Sequence, residues 1–168
     1  MKSSGLSRRN FLGLAVVGAG EIFLAPKGML PQTQQSNKPP ALAPDLVKEF
    51  VIAGHGKFDR VKELLEQHPG LLNATWDWGG GDFETALGGA GHMGHRDIAE
   101  FLIQQGCRMD IFVATMLGKL EVVKAMLTAY PEILKSKGPH GLTFLHHAKK
   151  GGAEAALVLK YLESLGAS

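Results

Sequence analysis

Histidine is the residue type in this chain whose number and spacing could most readily support chemistry. Seven histidines occur among 168 residues, including His92 and His95 three positions apart and the adjacent pair His146 and His147. Zinc sites use three or four convergent ligands, and histidine nitrogen is a common donor. A metal site is therefore one interpretation of these residues. The other is a set of histidines that only support the fold.

Other patterns that could indicate catalysis have simpler explanations. Residues 89–94 match G-x-G-x-x-G, but they are predicted to lie across the end of one helix and the turn to the next, not between a strand and a helix. Asp82 and Glu84 are explained by capping of a helix that begins after Thr85. Cys107 is the single cysteine, so it forms no internal disulfide, and we expect a buried, inert thiol. We predict neither an enzyme nor a bound cofactor, and we assign no metal ligands.

Residues 76–83 form an aromatic, glycine-rich insertion. Tryptophan and phenylalanine beside acids are typical of residues that anchor a protein–protein interface. Alternatively, the rings fold back and cover the core, and we expect one tryptophan buried and one exposed. The partner-binding residues predicted in this segment are Trp76, Asp77, Trp78, Asp82 and Phe83.

The elements that position these residues follow from an internal repeat. Gly56, Gly94, Gly118 and Gly152 each open a similar amphipathic run, at spacings of 38, 24 and 34 residues. Leucine or isoleucine and alanine precede the last three glycines by seven and four positions, which is typical of one buried helix face. Self-similarity at this period predicts stacked helix pairs.

Several of these residues carry a resemblance to the ankyrin-repeat family. Residues 143–146 read Thr-Phe-Leu-His, similar to the Thr-Pro-Leu-His of that repeat, and Gly94-His95 followed by Ile98 resembles the start of its second helix. The resemblance covers residues 45–167 and implies an all-α solenoid of about four stacked helix-turn-helix units. It also implies structural roles for His146 and His95, which leaves His55, His92 and His147 on separate repeats.

The chain departs from the regular repeat in ways that predict local structure. The longest spacing contains the insertion at residues 76–83, and the spacing of 24 leaves no room for a hairpin finger before the helix at Asp110. The first repeat lacks the Thr-x-Leu-His string and is expected to be a capping unit.

A second predicted surface consists of the residues just before each glycine. They end the inner helices and should face the concave side of the stack, although burial of Met116 under the adjacent helix is an alternative. The partner-binding residues predicted here are His55, His92, Met93, Met116, Leu117, Lys149 and Lys150.

The N-terminal region differs in composition from the rest of the chain. Arg8 and Arg9 precede a short apolar stretch, so residues 1–25 resemble a twin-arginine export signal. Residues 26–44 hold five of the eight prolines and are predicted to be a flexible linker, followed by the repeat domain at 45–168. These features predict a bacterial protein of the periplasm or cell envelope, which touches a membrane only through an uncleaved signal segment.

These observations together favour an exported ankyrin-repeat module that binds an unidentified protein partner. The balanced net charge of +2 argues against nucleic-acid binding, and we expect a monomer. The alternative is a small-molecule or metal-ion binding module, with a pocket formed by Trp76, Trp78, His92 and His147.

Overall fold

A computed structural model of the protein describes residues 38–167. The predicted export signal and the predicted linker as far as residue 37 lie outside the described residues. The described part is mostly helical, with two short strands, which agrees with the all-α class. No helix within residues 38–167 is both long enough and apolar enough to cross a membrane.

The described elements alternate between helices and short turns. The helices are α1 (Pro44–Gly54), α2 (Phe58–Gln67), α3 (Ala86–Met93), α4 (Arg96–Gln104), α5 (Ile111–Met116), α6 (Leu120–Ala129), α7 (Phe144–Lys150) and α8 (Ala156–Ser164). The strands β1 (Thr75–Asp77) and β2 (Phe83–Thr85) form an antiparallel hairpin, and 3-10 turns lie at Pro69–Asn73, Pro131–Lys135, Pro139–Gly141 and Gly152–Ala155.

The helices pack as successive pairs. Each odd-numbered helix contacts the even-numbered helix that follows it. The helices α1, α3, α5 and α7 contact one another in chain order, and α3 also contacts α7. The two core clusters centre on the first two pairs and the last two pairs. Glycine permits close approach at the junctions: Gly94 has φ 85°, and a β-carbon there would lie 2.7 Å from the Lys150 carbonyl oxygen.

Side-chain caps begin three of the inner helices. The Thr85 hydroxyl accepts a hydrogen bond from the Gly88 amide at 3.0 Å, and the Thr143 hydroxyl accepts one from the His146 amide at 3.4 Å. Asp110 caps α5 in the same way, through the Val113 amide at 2.8 Å. The helix start predicted after Thr85 is therefore confirmed, and Thr143 caps α7 in the same manner.

The connection between α4 and α5 contains neither a strand nor a 3-10 turn, as the short glycine spacing predicted. By contrast, the segments before α3 and α7 both project as fingers: the β1–β2 hairpin and the turn at Pro139–Gly141. No finger therefore precedes α5, and we call this place the missing third finger. The two fingers on either side of it contact each other through Asp82 and His140.

One part of the predicted concave surface is wrong. Met116 is 0% exposed and Leu117 is 4% exposed, so neither can contact a partner directly. The reason is that α5 packs against α3, α6, α7 and the turn at Gly152–Ala155, with Gly151 lying directly on the Met116 carbonyl group. The alternative of a buried Met116 is the correct one.

Candidate metal centre

Four side chains from distant parts of the chain converge beside the β1–β2 hairpin. They are His55, Glu84, His92 and His140, and each offers one nitrogen or oxygen atom within 4.8 Å of the others. His55 directly follows α1, Glu84 is the middle residue of β2, His92 lies in the last turn of α3, and His140 lies in the turn before α7. We call these four residues the centre.

The alternation of strand β2 directs Glu84 inward. Successive side chains of a strand point to opposite faces. Phe83 is 61% exposed, whereas Glu84, the next residue, is 1% exposed. The carboxylate is therefore enclosed between the hairpin and the inner helices.

Asp82 holds His140 in place. The Asp82 carboxylate accepts hydrogen bonds from the His140 backbone amide and from the His140 Nδ1, both at 2.8 Å. These bonds lower the pKa of Asp82, the backbone bond most strongly. The His140 backbone is left-handed, with φ 58°, a conformation in which histidine is tolerated better than most side chains.

Hydrogen bonds at Nδ1 decide where two of the imidazole protons lie. His55 Nδ1 is 3.0 Å from the Val51 carbonyl oxygen, which can only accept, and His140 Nδ1 faces the ionised Asp82. Both Nδ1 atoms must therefore carry a proton. In neutral rings, the two Nε2 lone pairs then point toward Glu84 Oε2, at 3.3 Å from His55 and 3.4 Å from His140. A cation between these atoms, or protonation of the rings, makes that arrangement favourable, and His55 Nε2 also has His92 Nε2 within hydrogen-bond distance, at 3.1 Å.

The other oxygen of Glu84 is also incompletely satisfied. Oε1 lies 2.9 Å from His92 Nε2, but no described donor is directed at it with hydrogen-bond geometry. His92 Nε2 lies 3.1 Å from His55 Nε2. With metal–ligand bonds of about 2.0–2.1 Å, the ligand atoms of a tetrahedral zinc ion are about 3.3 Å apart. These two separations are close to that value, while all four ligand atoms of the centre lie within 4.8 Å of one another.

The electrostatics of the centre keep Glu84 ionised. Burial acts to raise the pKa of this carboxyl, but the adjacent His55 and His92 imidazoles and the Trp78 indole N–H outweigh burial and lower the pKa to about 2. The Trp78 indole N–H donates to Oε2 at 2.8 Å. Glu84 in turn raises the pKa of His55 by stabilising the charged ring, against the opposing effect of burial.

The structure divides the residues of the predicted metal or small-molecule pocket. Trp78 and His92 lie at the centre, but Trp76 and His147 do not. Trp76 is half-buried, with the Lys48 ammonium 5.4 Å from its ring centroid. His147 is buried beside α5 and binds the Thr143 carbonyl through Nδ1 at 2.9 Å. Trp78 is 37% exposed, as expected for one of the two tryptophans, but Trp76 is only half-buried, so the expectation of one buried tryptophan is wrong.

The residues of the predicted partner surface are also divided. Asp77, Phe83, Met93, Lys149 and Lys150 are exposed. His92 is only 6% exposed and belongs to the centre, together with His55. The concave stripe predicted from the repeat register is therefore not continuous.

The sequence interpretation missed two members of the centre. These two members are Glu84 and His140. The sequence pattern explained Glu84, like Asp82, as part of a helix cap, but both carboxylates face histidines instead. No sequence pattern indicated His140. The missing third finger was the available signal, since it lets the turn at Pro139–Gly141 reach the hairpin. His146 supports the centre indirectly: its Nε2 donates to the His92 carbonyl oxygen at 2.9 Å.

Neither a family model nor a curated protein matches this chain.

Proposed function

We propose that this protein binds a divalent transition-metal ion through His55, Glu84, His92 and His140. The observation that carries the proposal is the convergence of three imidazoles, which offer Nε2 lone pairs when neutral, on one buried carboxylate. A metal ion accepts those lone pairs and neutralises the carboxylate at once. It also provides a partner for Glu84 Oε1, which has no hydrogen-bond donor among the described residues.

The donor set favours zinc. Three imidazole nitrogens and one carboxylate oxygen suit a borderline ion such as Zn²⁺, whereas Ca²⁺ and Mg²⁺ prefer ligand sets composed of oxygen. When all four side chains bind, a tetrahedral ion has no open position. That arrangement is typical of structural or storage sites, not of catalytic ones.

The residues around the centre support this use. A histidine that binds a metal generally donates its other ring N–H to a carbonyl or carboxylate, which fixes the ring orientation. His55 donates to the Val51 carbonyl and His140 to Asp82. Trp78 restrains the Glu84 carboxylate in a similar manner.

The proposal is tested by titrating the full chain, produced without a histidine tag and stripped with EDTA, with Zn²⁺ in a calorimeter. We expect one ion per chain, with the mass confirmed by native mass spectrometry. The variant His140→Ala, which changes an exposed ligand, should bind Zn²⁺ much more weakly. The matched control His68→Ala changes another exposed histidine, which is not a member of the centre, and should bind as the wild type does. Equal affinity for all three proteins would refute the proposal.

We further propose that the fold is an ankyrin-type stack. Support comes from the ordered contacts of α1, α3, α5 and α7, the pairing of each with the following helix, and the threonine caps before α3 and α7. The β1–β2 hairpin stands where that family places its finger. An experimental structure of the full chain tests this assignment.

The twin-arginine pattern at Arg8 and Arg9 supports export to the periplasm or cell envelope. That route carries folded proteins, often with cofactors bound, and so would suit a protein that acquires a metal first. A reporter fused to residues 1–44 should be exported, and replacement of both arginines by lysine should abolish export. Unchanged export would rule out the assignment.

Binding of a protein partner remains a second candidate, favoured by the exposure of Phe83 on the hairpin. Its ring lies on the face of β2 opposite Glu84, so Phe83→Ala should leave zinc binding intact. Crosslinking in the native envelope would test the candidate: a specific partner captured by the wild type should be lost with this variant.

A further inference from the structure

Residues 137–142, which we call the arm, carry His140 and have few polar attachments to the rest of the protein. Three of the arm's hydrogen bonds are internal: Gly138 N to Leu142 O, Gly141 N to Gly138 O, and Leu142 N to Pro139 O. Among the described residues, its only hydrogen bonds to another element are the two from His140 to Asp82. The arm is therefore held to the hairpin through one residue.

That residue has no favourable partner for its Nε2 when the ring is neutral and no cation is present. Its backbone is left-handed, a conformation that residues with a β-carbon seldom adopt. Its Nε2 lone pair faces Glu84 Oε2 at 3.4 Å. A metal ion at the centre converts this repulsive approach into two coordinate bonds, one to each side chain.

The arm is also one wall of a cavity. The space where the third finger is missing forms a cavity of about 350 Å³. Lys137, Gly138 and Pro139 line one side, Asp82 and Phe83 of the hairpin line the other, and Phe112 contributes to the lining from α5. Movement of the arm away from the hairpin would remove one side of this cavity.

We infer that the bound metal ion holds the arm against the β1–β2 hairpin. Metal binding fixes this side of the cavity in place, and metal removal releases the arm. This inference rests on the proposed function. It adds that the ion controls the position of a specific segment, whereas a metal merely held in a rigid site would leave the arm unchanged.

Hydrogen–deuterium exchange of the full chain tests the inference, with the zinc-loaded protein compared with the EDTA-treated one. Amides of residues 137–142 should exchange more slowly with zinc, while those of α8, which contributes no ligand, should not change. Trypsin cleavage after Lys137 should likewise be slower with zinc, relative to cleavage after Lys57.

Two variants separate the possible outcomes. In His140→Ala, arm exchange should be fast and independent of zinc, whereas His68→Ala should retain the wild-type response. If calorimetry shows one zinc ion per chain but hydrogen exchange in the arm does not change, the inference that the ion holds the arm is wrong, and the metal proposal stands. If the wild type binds no zinc, both proposals fail together.

Discussion

The two fingers that meet at the centre occupy the same position in their repeats and do different chemistry. The finger before α3 is a β-hairpin, and the finger before α7 is a 3-10 turn. Both follow a proline-initiated 3-10 turn, at Pro69–Asn73 and Pro131–Lys135, and both end in a threonine cap. The framework is therefore repeated, while the projecting residues are not.

Equivalent positions show how far the fingers have diverged. Glu84, just before one threonine, corresponds to Leu142 before the other, and His92 corresponds to Lys150. One finger brings the carboxylates and the other brings an imidazole, so each supplies what the other lacks. Because the two fingers carry different residues, the centre belongs to no single repeat and forms only where the two fingers meet.

Removal of the Glu84 charge should have the largest effect on the centre that the two fingers form together. Glu84→Gln keeps the shape but loses the anion, so zinc binding should fall below detection by calorimetry. Unfolding in urea with zinc present should show a lower free energy of unfolding than that of the wild type, because the variant gains no stability from a bound ion. Glu132→Gln changes an exposed acid and should do neither. Undiminished zinc binding by Glu84→Gln would place the metal elsewhere.

Asp82→Asn breaks the contact between the fingers without removing a ligand. An amide can still accept a bond from the His140 backbone, but it orients the ring less well. Loss of such a supporting group typically weakens metal binding about 10–100-fold. Competition with a chromophoric chelator measures this change, and Asp77→Asn on the same hairpin is the matched control. Equal affinities for both variants would mean that Asp82 does not position His140.

The repeated framework could be predicted because its signals are local. A threonine cap, a left-handed glycine and a short spacing each act within one or two turns of helix, so Thr85, Thr143, Gly94 and the missing third finger all follow from the sequence.

The centre could not be predicted in the same way, because its contacts are not local. Asp82 and His140 are 58 positions apart, and their contact depends on how the stack closes over the missing finger. Glu84 was misinterpreted because an acid beside a cap is ordinary, and only the pleat of β2 turns it inward. Met116 and Leu117 lie at the end of α5, as the repeat register predicted. They are buried and not exposed, because α5 is covered on several sides.

The two threonine caps test whether the repeated framework contributes the same stability on both sides. The quantity compared is the free energy of unfolding lost with each cap. Thr85→Ala and Thr143→Ala should each cost about 1 kcal/mol in urea unfolding. Thr85→Ala should have the larger effect, because its bond is 3.0 Å long and that of Thr143 is 3.4 Å. Thr143→Ala should leave zinc affinity unchanged. A large loss of affinity would show that this cap positions the arm.

The smallest expected effect is a pH dependence on the side of the second finger. His147 is buried against Phe112, and burial lowers its pKa. The Thr143 carbonyl and the Asp110 carboxylate act in the opposite direction, and His146 and His92 act in the same direction as burial. A pKa below the unfolded value of 6.5 means that His147 stabilises the fold fully above pH 6.5. This contribution is lost as the pH falls through the folded pKa, because the unfolded chain takes up the proton first. With EDTA present, His147→Gln should therefore lose less stability than the wild type between pH 7 and pH 5, as measured by urea unfolding. Parallel stability curves would show that the folded state accommodates the charged ring, and the contrast with the paired histidines of the centre would then disappear.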